Sequence, residues 1–202
     1  METGGGSRRQ RTASETREHV LRVARDLFYW DGIRATGVDR VASKAGVAPT
    51  TLYRLFAHKD DLVAAYVERE DRLYREWFDE AIESAGPRPR ERILALFDAL
   101  LVQVQPHQCR GCPFQMALAE FPDPALPTHQ NAVANKAWVR ARLDELTDEL
   151  AVTAPVGNPV VLADGLALLV EGVYASAEAL GAEGPARQAR TMAKMLLDAS
   201  ER

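Results

Sequence analysis

The sequence predicts an all-α protein of about nine helices, arranged as a small N-terminal helical domain and a larger C-terminal helical bundle. Three observations support this. Apolar residues such as Val20, Ala24 and Leu27 recur at helical spacing. Glycine and proline interrupt the pattern where helices commonly end, as at Gly46 and Gly86-Pro87. No stretch of useful length alternates as a strand would.

Nine segments carry the helical pattern. The first follows a Gly/Ser-rich basic stretch, 1–13, which we expect to be a disordered arm, and Ser14 is expected to cap it. In chain order the segments are 14–32, 37–46, 48–56, 59–86, 90–105, 115–121, 128–152, 159–180 and 185–200.

The charge of the 202-residue chain is unevenly distributed. Residues 1–60 carry 11 Lys and Arg against 7 Asp and Glu, whereas the remaining residues carry 14 against 22. A basic N-terminal part on an acidic body indicates one end that binds a polyanion. No uninterrupted apolar run is expected to reach the roughly 18 residues of a membrane span, and the N-terminus lacks the apolar stretch of a signal peptide. We therefore expect a cytoplasmic protein.

The segment 37–65 has the pattern of a helix-turn-helix. Val41, Ala42, Ala45 and Val47 supply the packing between two short helices, and Gly46 permits a left-handed turn. The second helix would enter the major groove of DNA with its N-terminal end first. Ordinary surface helices with solvated charges are the alternative interpretation of this pattern.

The stretch "GVDRVASKAGVAPTTLYRLFAHKDDL" resembles the TetR (tetracycline-repressor-like) family of transcriptional regulators, closely over about residues 14–65. The resemblance implies a DNA-binding domain over 14–60 and a ligand-binding and dimerisation domain over 61–202. Together with the helix pattern it gives a predicted DNA-binding set of Thr36, Pro49, Thr50, Thr51, Tyr53, Arg54, His58 and Lys59. Ala48, Pro49 and Leu55 depart from residues frequent in the family, so base recognition would depend mainly on Arg54.

The segment 159–180 is too apolar all round for a surface helix, and must be buried in a core or in a helical interface. Small residues along it would let helices approach closely. Because paired half-sites in DNA need a two-fold protein, we favour a homodimer interface over a purely intrachain core. The residues predicted for it are Gly172, Ala175, Ala179, Met192, Met195 and Leu196.

Aromatic and aliphatic residues of the C-terminal part are candidates for the lining of an effector pocket, although ordinary core packing explains most of them equally well. The predicted effector is small and largely apolar, with Gln115, His107 and Glu171 as polar candidates. Glu171 lies in the apolar segment, where an unpaired carboxylate would be costly, so we expect it to pair with an arginine, to face the pocket or to lie at the dimer edge. The predicted lining is Trp77, Phe97, Leu100, Val104, Phe114, Met116, Trp138, Leu166, Val170, Glu171 and Tyr174.

The segment "RGCPFQMALAEFPDP" resembles a Gly-Cys-Pro-Phe segment found in a subgroup of the TetR family. Its cysteines, Cys109 and Cys112, have the spacing of a zinc or redox pair, and His107 and His129 could complete four ligands. The sequence has no second cysteine pair. We therefore favour ordinary packing as the role of these cysteines, then thiol redox sensing, and last a structural metal site. No metal or other cofactor is expected.

The sequence carries no phosphate-binding glycine loop, nucleophile elbow or zinc-helix motif, so an enzyme is not expected. The predicted function is a ligand-responsive regulator, most simply a repressor, that binds a palindromic operator as a homodimer and is released by its effector. The alternative is a thiol redox-sensing regulator that uses Cys109 and Cys112 with the same DNA-binding domain.

Overall fold

The fold is all-α in the computed structural model, which describes residues 11–106, 108–181 and 183–201. These residues form nine α-helices and one 3-10 turn, which confirms the predicted class and helix number. The helices are α1 (Ala13–Asp31), α2 (Val38–Ala45), α3 (Pro49–Leu55), α4 (Lys59–Glu83), α5 (Pro89–Gln103), α6 (Pro113–Glu120), α7 (Pro127–Thr153), α8 (Pro159–Leu180) and α9 (Ala189–Ser200), with the 3-10 turn at Pro185–Gln188.

Proline begins five of these helices, α3, α5, α6, α7 and α8. The first turn of a helix has no internal acceptor for its N–H groups, so the N–H that proline lacks costs nothing there. The segments predicted for α5, α6 and α7 began one or two residues after these prolines.

The chain divides into two compact units, the first ending at Tyr66 and the second beginning at Val67. This division falls inside α4, whereas the domain boundary predicted from the sequence lies between residues 60 and 61. That boundary marked the start of a helix rather than a change of packing. The aromatic rings of Phe28 and Tyr66 meet edge to face at 5.4 Å, so the first turns of α4 belong to the core of the first unit.

The first unit contains α1, α2, α3 and the beginning of α4. Thr12, not Ser14, caps α1: its hydroxyl accepts from the N–H of Glu15 at 3.1 Å, and the Glu15 carboxylate accepts from the N–H of Thr12 at 2.8 Å. This reciprocal pair is a capping box. Of the predicted disordered arm, residues 1–10 lie outside the described residues.

The second unit is a helical bundle in which α7 packs against α5, α6 and α8, and α9 packs against α5 and α8. Its core includes the fully buried side chains of Phe78, Phe97, Leu100 and Leu143. Ionic contacts join α5 to the end of α9, where the Arg90 guanidinium contacts Asp198 and Glu201. The bundle is therefore held by an apolar core and by salt bridges at its edge.

Helix α8 is long and apolar enough to cross a membrane by length and composition, contrary to the expectation from the sequence. A core helix of a globular protein passes the same test, and 39% of the most apolar window of α8 is buried inside the described structure. Asp164 and Glu171 interrupt its apolar surface and both form ion pairs with α7.

Candidate DNA-binding and ligand-sensing sites

The turn between α2 and α3 has the geometry of a helix-turn-helix. Gly46 lies in the left-handed region at φ 63°, ψ 34°, and its N–H closes the end of α2 on Ala42 and Ser43 carbonyls. A side chain would strain the backbone there. The His19 ring contacts the Ala45 carbonyl at 2.9 Å, which fixes α1 against the same turn.

Helix α3 presents one face to solvent and one to the core. Leu52 is 1% exposed, whereas Tyr53 is 50% exposed and Arg54 is also exposed. Pro49 and Thr50 are exposed at the N-terminal end of the helix, and Thr51 is half-buried. The face predicted to meet DNA is therefore available, and its contacts with DNA remain a prediction.

Two of the predicted DNA-binding residues have structural contacts within the first unit. Thr36 is fully buried, and its hydroxyl donates to the Gly32 carbonyl at 2.9 Å. We therefore correct its role from a DNA contact to fixing the loop before α2. Lys59 is half-buried, and its ammonium donates to the Arg34 carbonyl at 3.0 Å, so it links this loop to the start of α4.

His58 precedes α4 and has an exposed side chain. Its backbone N–H donates to the Asp61 carboxylate at 2.9 Å, which satisfies one of the free N–H groups at the helix start. The carboxylates of Asp60 and Asp61 lie in this first turn, where negative charge interacts favourably with the helix dipole.

Aromatic side chains of the second unit cluster between α4, α6 and α7. The Tyr74 ring lies 5.2 Å from that of Trp77 and 5.8 Å from that of Phe114. The rings of Phe78 and Trp138 meet at 5.3 Å. Three residues of the predicted effector lining, Trp77, Phe114 and Trp138, thus lie in one aromatic region.

The predicted lining as a whole is distributed through the second unit. Trp77, Met116, Trp138 and Glu171 are half-buried. The buried members are Phe97, Leu100, Val104, Phe114, Leu166, Val170 and Tyr174. Their burial satisfies both a core role and a ligand-lining role, so their contact with an effector remains a prediction.

A polar pair, the buried Tyr174 and the half-buried Gln103, also belongs to the second unit. The hydroxyl of Tyr174 donates to the side-chain carbonyl of Gln103. Burial raises the pKa of Tyr74 and of Tyr174 above the ordinary value, and the neighbouring Cys112 raises both further. Both phenols therefore stay neutral and can offer hydrogen bonds at physiological pH. Gln103 was not predicted from the sequence, because one glutamine in a helix gives no signal of its partner.

Glu171 has the cationic partner that its apolar helix demands, but this partner is a lysine on α7. The Lys136 ammonium donates to the two Glu171 carboxylate oxygens at 2.8 and 2.9 Å and to the Cys112 sulfur at 3.0 Å. The Gln115 amide donates to the same carboxylate at 2.7 Å. These four residues, which we call the Lys136 cluster, connect α6, α7 and α8.

Lys136 stays charged despite its partial burial. Burial by itself lowers the pKa of Lys136, but Cys112 and Glu171 outweigh it and raise the pKa above the ordinary value. Lys136 was not predicted from the sequence. The unexplained carboxylate at Glu171 was the available signal, since a buried carboxylate demands a cation.

A groove of 580 Å³ opens beside the Lys136 cluster and is lined by Gln115, Leu118, Lys136, Arg140, Asp164, Ala167, Leu168 and Glu171. Of the predicted lining, Glu171 alone belongs to it. Leu118, Ala167 and Leu168 make one part of its wall apolar, whereas paired charges make the other part polar.

Both cysteines are free thiols, with Cys112 buried and Cys109 half-buried. The backbone N–H of Gly111 donates to the Cys109 sulfur at 3.3 Å. His129 contacts the Phe121 carbonyl at 2.9 Å through Nδ1, and His107 lies outside the described residues. Within the described part of the chain, no group of three metal-ligating side chains forms.

Helices α8 and α9 leave apolar side chains exposed. On α8 the exposed positions are Val161, Leu168, Gly172, Ala175 and Ala179, and the half-buried Gly165 completes a pattern of alternating spacings of four and three. Leu168 is 73% exposed, and on α9 Met192 and Met195 are 44% and 57% exposed. Leu196, also predicted for the dimer, is half-buried. We call the exposed surface the α8/α9 face.

The helix-turn-helix unit and the separate helical bundle define a class, the helix-turn-helix transcriptional regulators. Residues 20–66 match the family model described as bacterial regulatory proteins, tetR family. The structure of SCO4454, a TetR-family regulator from Streptomyces coelicolor, is similar with a TM-score of 0.85 and 30% identity, covering 94% of this chain and 97% of that one. The chain belongs to the TetR family of transcriptional regulators.

Two further relatives agree with this assignment. The regulator YjdC of Escherichia coli is 27% identical over 77% of this chain and 80% of its own length. A putative regulator from Streptomyces avermitilis has a TM-score of 0.77 and 29% identity, with 92% of this chain and 97% of that one covered. These relatives are regulators rather than enzymes, as the sequence predicts for this chain.

Proposed function

We propose that the protein is a homodimeric repressor that binds a palindromic operator and releases it when a small, largely apolar effector binds. The observation that carries this proposal is the α8/α9 face. It exposes apolar and small side chains at helical spacing, a surface that a second copy of the chain would cover. Two copies would then present two α3 helices to two half-sites.

Arg54 and Tyr53 are the main candidates for DNA contact. Both side chains are exposed on one face of α3, while Leu52 anchors the opposite face. A guanidinium can bond two acceptors on guanine, and a phenol can donate to phosphate. The DNA phosphate backbone on either side of these contacts would be met by Pro49, Thr50, Thr51, His58 and Lys59. We keep residues 14–60 and 61–202 as the functional domains.

The effector would bind in the aromatic region of the second unit. Its apolar part would pack against Trp77, Phe114 and Trp138, and a polar group would meet the neutral Tyr174 phenol or the Lys136 cluster. A relative that is named as a repressor supports repression over activation. This relative, the transcriptional repressor NemR of Escherichia coli, is 29% identical over half of this chain and 51% of its own length. We also assign the chain to the Gly-Cys-Pro-Phe subgroup and to the cytoplasm.

Selection of bound duplexes from a random library with the purified full-length protein tests this function. The selected duplexes should share an inverted repeat whose half-sites lie about 10 base pairs apart, or a multiple of that. Sedimentation of the complex should show an even number of chains for each duplex. Enrichment of a single unrepeated half-site by a monomer would contradict the proposal.

A further inference from the structure

Arg17 makes a contact that joins the start of α1 to the end of α3. Its guanidinium carbon lies 5.2 Å from the centre of the Phe56 ring, within the range of a cation–π interaction. Phe56 follows the last residue of α3 and is 4% exposed, whereas Arg17 is exposed. A buried ring therefore holds an exposed cation at the end of the helix that carries Tyr53 and Arg54.

The position of Arg17 in α1 explains this contact. Val20 and Leu21 follow it by three and four residues, so all three side chains lie on one face of the helix. Val20 and Leu21 are 0% and 1% exposed, which makes this the face that packs on the core of the first unit. Arg17 lies one turn before them, where its aliphatic stem can follow the core while the guanidinium stays in water.

The Arg17 guanidinium has no carboxylate partner in the part of the chain that the structure describes. Two other arginines of the first unit differ in this respect, since Arg25 pairs with Asp26 and Arg40 pairs with Asp31. Stacking on a ring occupies one face of the guanidinium plane and leaves its N–H edge available. Two N–H groups on that edge can bind two oxygens of one phosphate.

The end of α3 is a place where DNA phosphates are expected. A recognition helix lies in the major groove, which is about 12 Å wide. The seven residues of α3 extend over only about 10 Å. Side chains that flank either end of so short a helix therefore lie near the phosphates at the edge of the groove. The predicted DNA contact His58 follows Phe56 by two residues at this same end.

We propose that Arg17 is a phosphate-binding residue of the DNA interface, and that the Phe56 ring positions its guanidinium for a bidentate contact with one phosphate. The inference rests on the proposed function, because it places DNA against the exposed face of α3. It extends the interface to α1 and adds a residue that the predicted DNA-binding set lacks. A phosphate contact carries no base information, so Arg17 contributes affinity and orientation, whereas Arg54 contributes base preference.

The salt dependence of DNA binding tests the phosphate contact. Loss of one such contact lowers the slope of log affinity against log salt concentration by about 0.9. In the full-length protein, Arg17→Gln should lower the slope for the selected operator by about one unit for each bound chain. It should also weaken binding at least about fivefold at about 0.1 M salt, and weaken an unrelated duplex alike. An unchanged slope would overturn the proposal.

Arg22→Gln provides the comparison for a general effect of charge. Arg22 is exposed on α1 five residues later, which places it about 140° around the helix from Arg17. This variant removes the same charge from the same helix, and it should lower the slope by less than half as much. Equal slopes in the two variants would show that Arg17 acts through the net charge of the first unit and makes no phosphate contact.

Two further variants test the positioning by the ring. Arg17→Lys keeps the charge but replaces a planar fork by a point charge, so the slope should be kept while affinity falls at least about twofold. Phe56→Leu keeps an apolar side chain and removes the ring. The two losses in affinity should not add in the double variant, because each substitution disrupts the same stacked geometry. Additive losses would contradict the positioning role of Phe56.

Circular dichroism checks that each variant is folded. If Phe56→Leu is too unstable to assay, wild-type affinity in Arg17→Lys would still contradict a bidentate contact. The failure of this inference is distinguishable from that of the proposed function. A generic duplex needs no operator, effector or dimer, so its salt slopes decide the role of Arg17 even if no operator is selected. An operator released by an effector, with an unchanged slope in Arg17→Gln, would leave the proposed function standing and this inference refuted.

Discussion

The Asn135 side chain donates a hydrogen bond to the carboxylate of Asp71 across 2.9 Å, and this contact fastens α7 to α4 within the second unit. Asn135 is 1% exposed, so solvent cannot replace a lost partner. Asp71 also pairs with Arg75 at 2.8 Å. The contact sits one helical turn from Tyr74, in the part of α4 that carries the aromatic region.

We expect Asn135→Ala to lower the free energy of unfolding by about 1–3 kcal/mol, because the half-buried Asp71 carboxylate loses a charge-assisted hydrogen bond from a buried donor. Urea unfolding followed by circular dichroism measures this. Asp71→Ala and the double variant complete a cycle in which the two losses should not add, since either substitution removes the same bond. Strict additivity would mean that the contact contributes nothing to stability.

The sequence predicts the helices of this protein better than it predicts the contacts between them. Periodicity and breakers find all nine helices, because those signals are local. Helix α3 is found equally well, with Leu52 buried and Tyr53 and Arg54 exposed. Glu171 was marked as a carboxylate needing a partner, but its partner Lys136 is 35 residues away and ordinary by itself.

Thr36 illustrates the reverse limit. The resemblance to relatives implies a DNA contact at this position. In the described structure the Thr36 hydroxyl donates a hydrogen bond to the Gly32 carbonyl instead. A threonine hydroxyl can serve either purpose, and the direction of its side chain depends on the backbone of a loop. Sequence pattern does not encode that direction.

Asp198 makes the stability of the second unit sensitive to acid. A hydrogen bond from Lys194, and then one from Arg90, lower the pKa of Asp198 below its ordinary value of 3.8. A lowered pKa in the folded state contributes stability above the ordinary value, and this contribution is lost as the pH falls through the lowered pKa. Asp198→Asn should therefore be less stable than wild type at pH 7.

The same comparison in stronger acid should show a smaller difference, which disappears below the lowered pKa because wild-type Asp198 is then also neutral. Thermal unfolding at several pH values measures both curves. Asp148→Asn, at an exposed position of α7, provides the control for removing one negative charge. A difference between Asp198→Asn and wild type that stays constant with pH would contradict this assignment.

Arg54→Ala should weaken binding to the selected operator by about 1–3 kcal/mol and relax the base preference at one position of each half-site. The reason is the loss of a bidentate contact with guanine. Competition binding against a panel of operators with single-base changes measures both effects. Arg72→Ala removes the same charge from the second unit and should leave the preference unchanged. Equal base preference in Arg54→Ala and wild type would place base recognition elsewhere.

Ala175→Arg should convert the protein to a monomer, because it places a charge in the close helical contact that we propose for the α8/α9 face. Sedimentation velocity at micromolar concentration measures the association state. The monomer should also bind the operator at least about 100-fold more weakly, since one half-site contact replaces two. Ala141→Arg puts the same side chain on an exposed position of α7 and should remain dimeric. If the Ala175→Arg protein is still a dimer, the dimer interface does not lie on the α8/α9 face.

Trp138→Phe should reduce the effector-induced release of the protein from its operator, while operator binding without effector stays nearly unchanged. The Trp138 ring packs against Phe78 at 5.3 Å and under the Arg75 guanidinium at 5.0 Å, so it joins α7 to the α4 segment of the same unit. Trp30→Phe, at an exposed tryptophan of the first unit, is the matched control. The probe is whichever small, largely apolar compound most weakens operator binding in a screen.

For a reversibly bound compound, linkage requires the operator to weaken its binding by the same factor as the compound weakens operator binding. Titration of tryptophan fluorescence with and without operator measures that factor, and in the wild type the operator should weaken binding of the compound at least about fivefold. Equal affinity of the compound in both titrations would show that the two sites are not coupled, even if operator binding itself were confirmed.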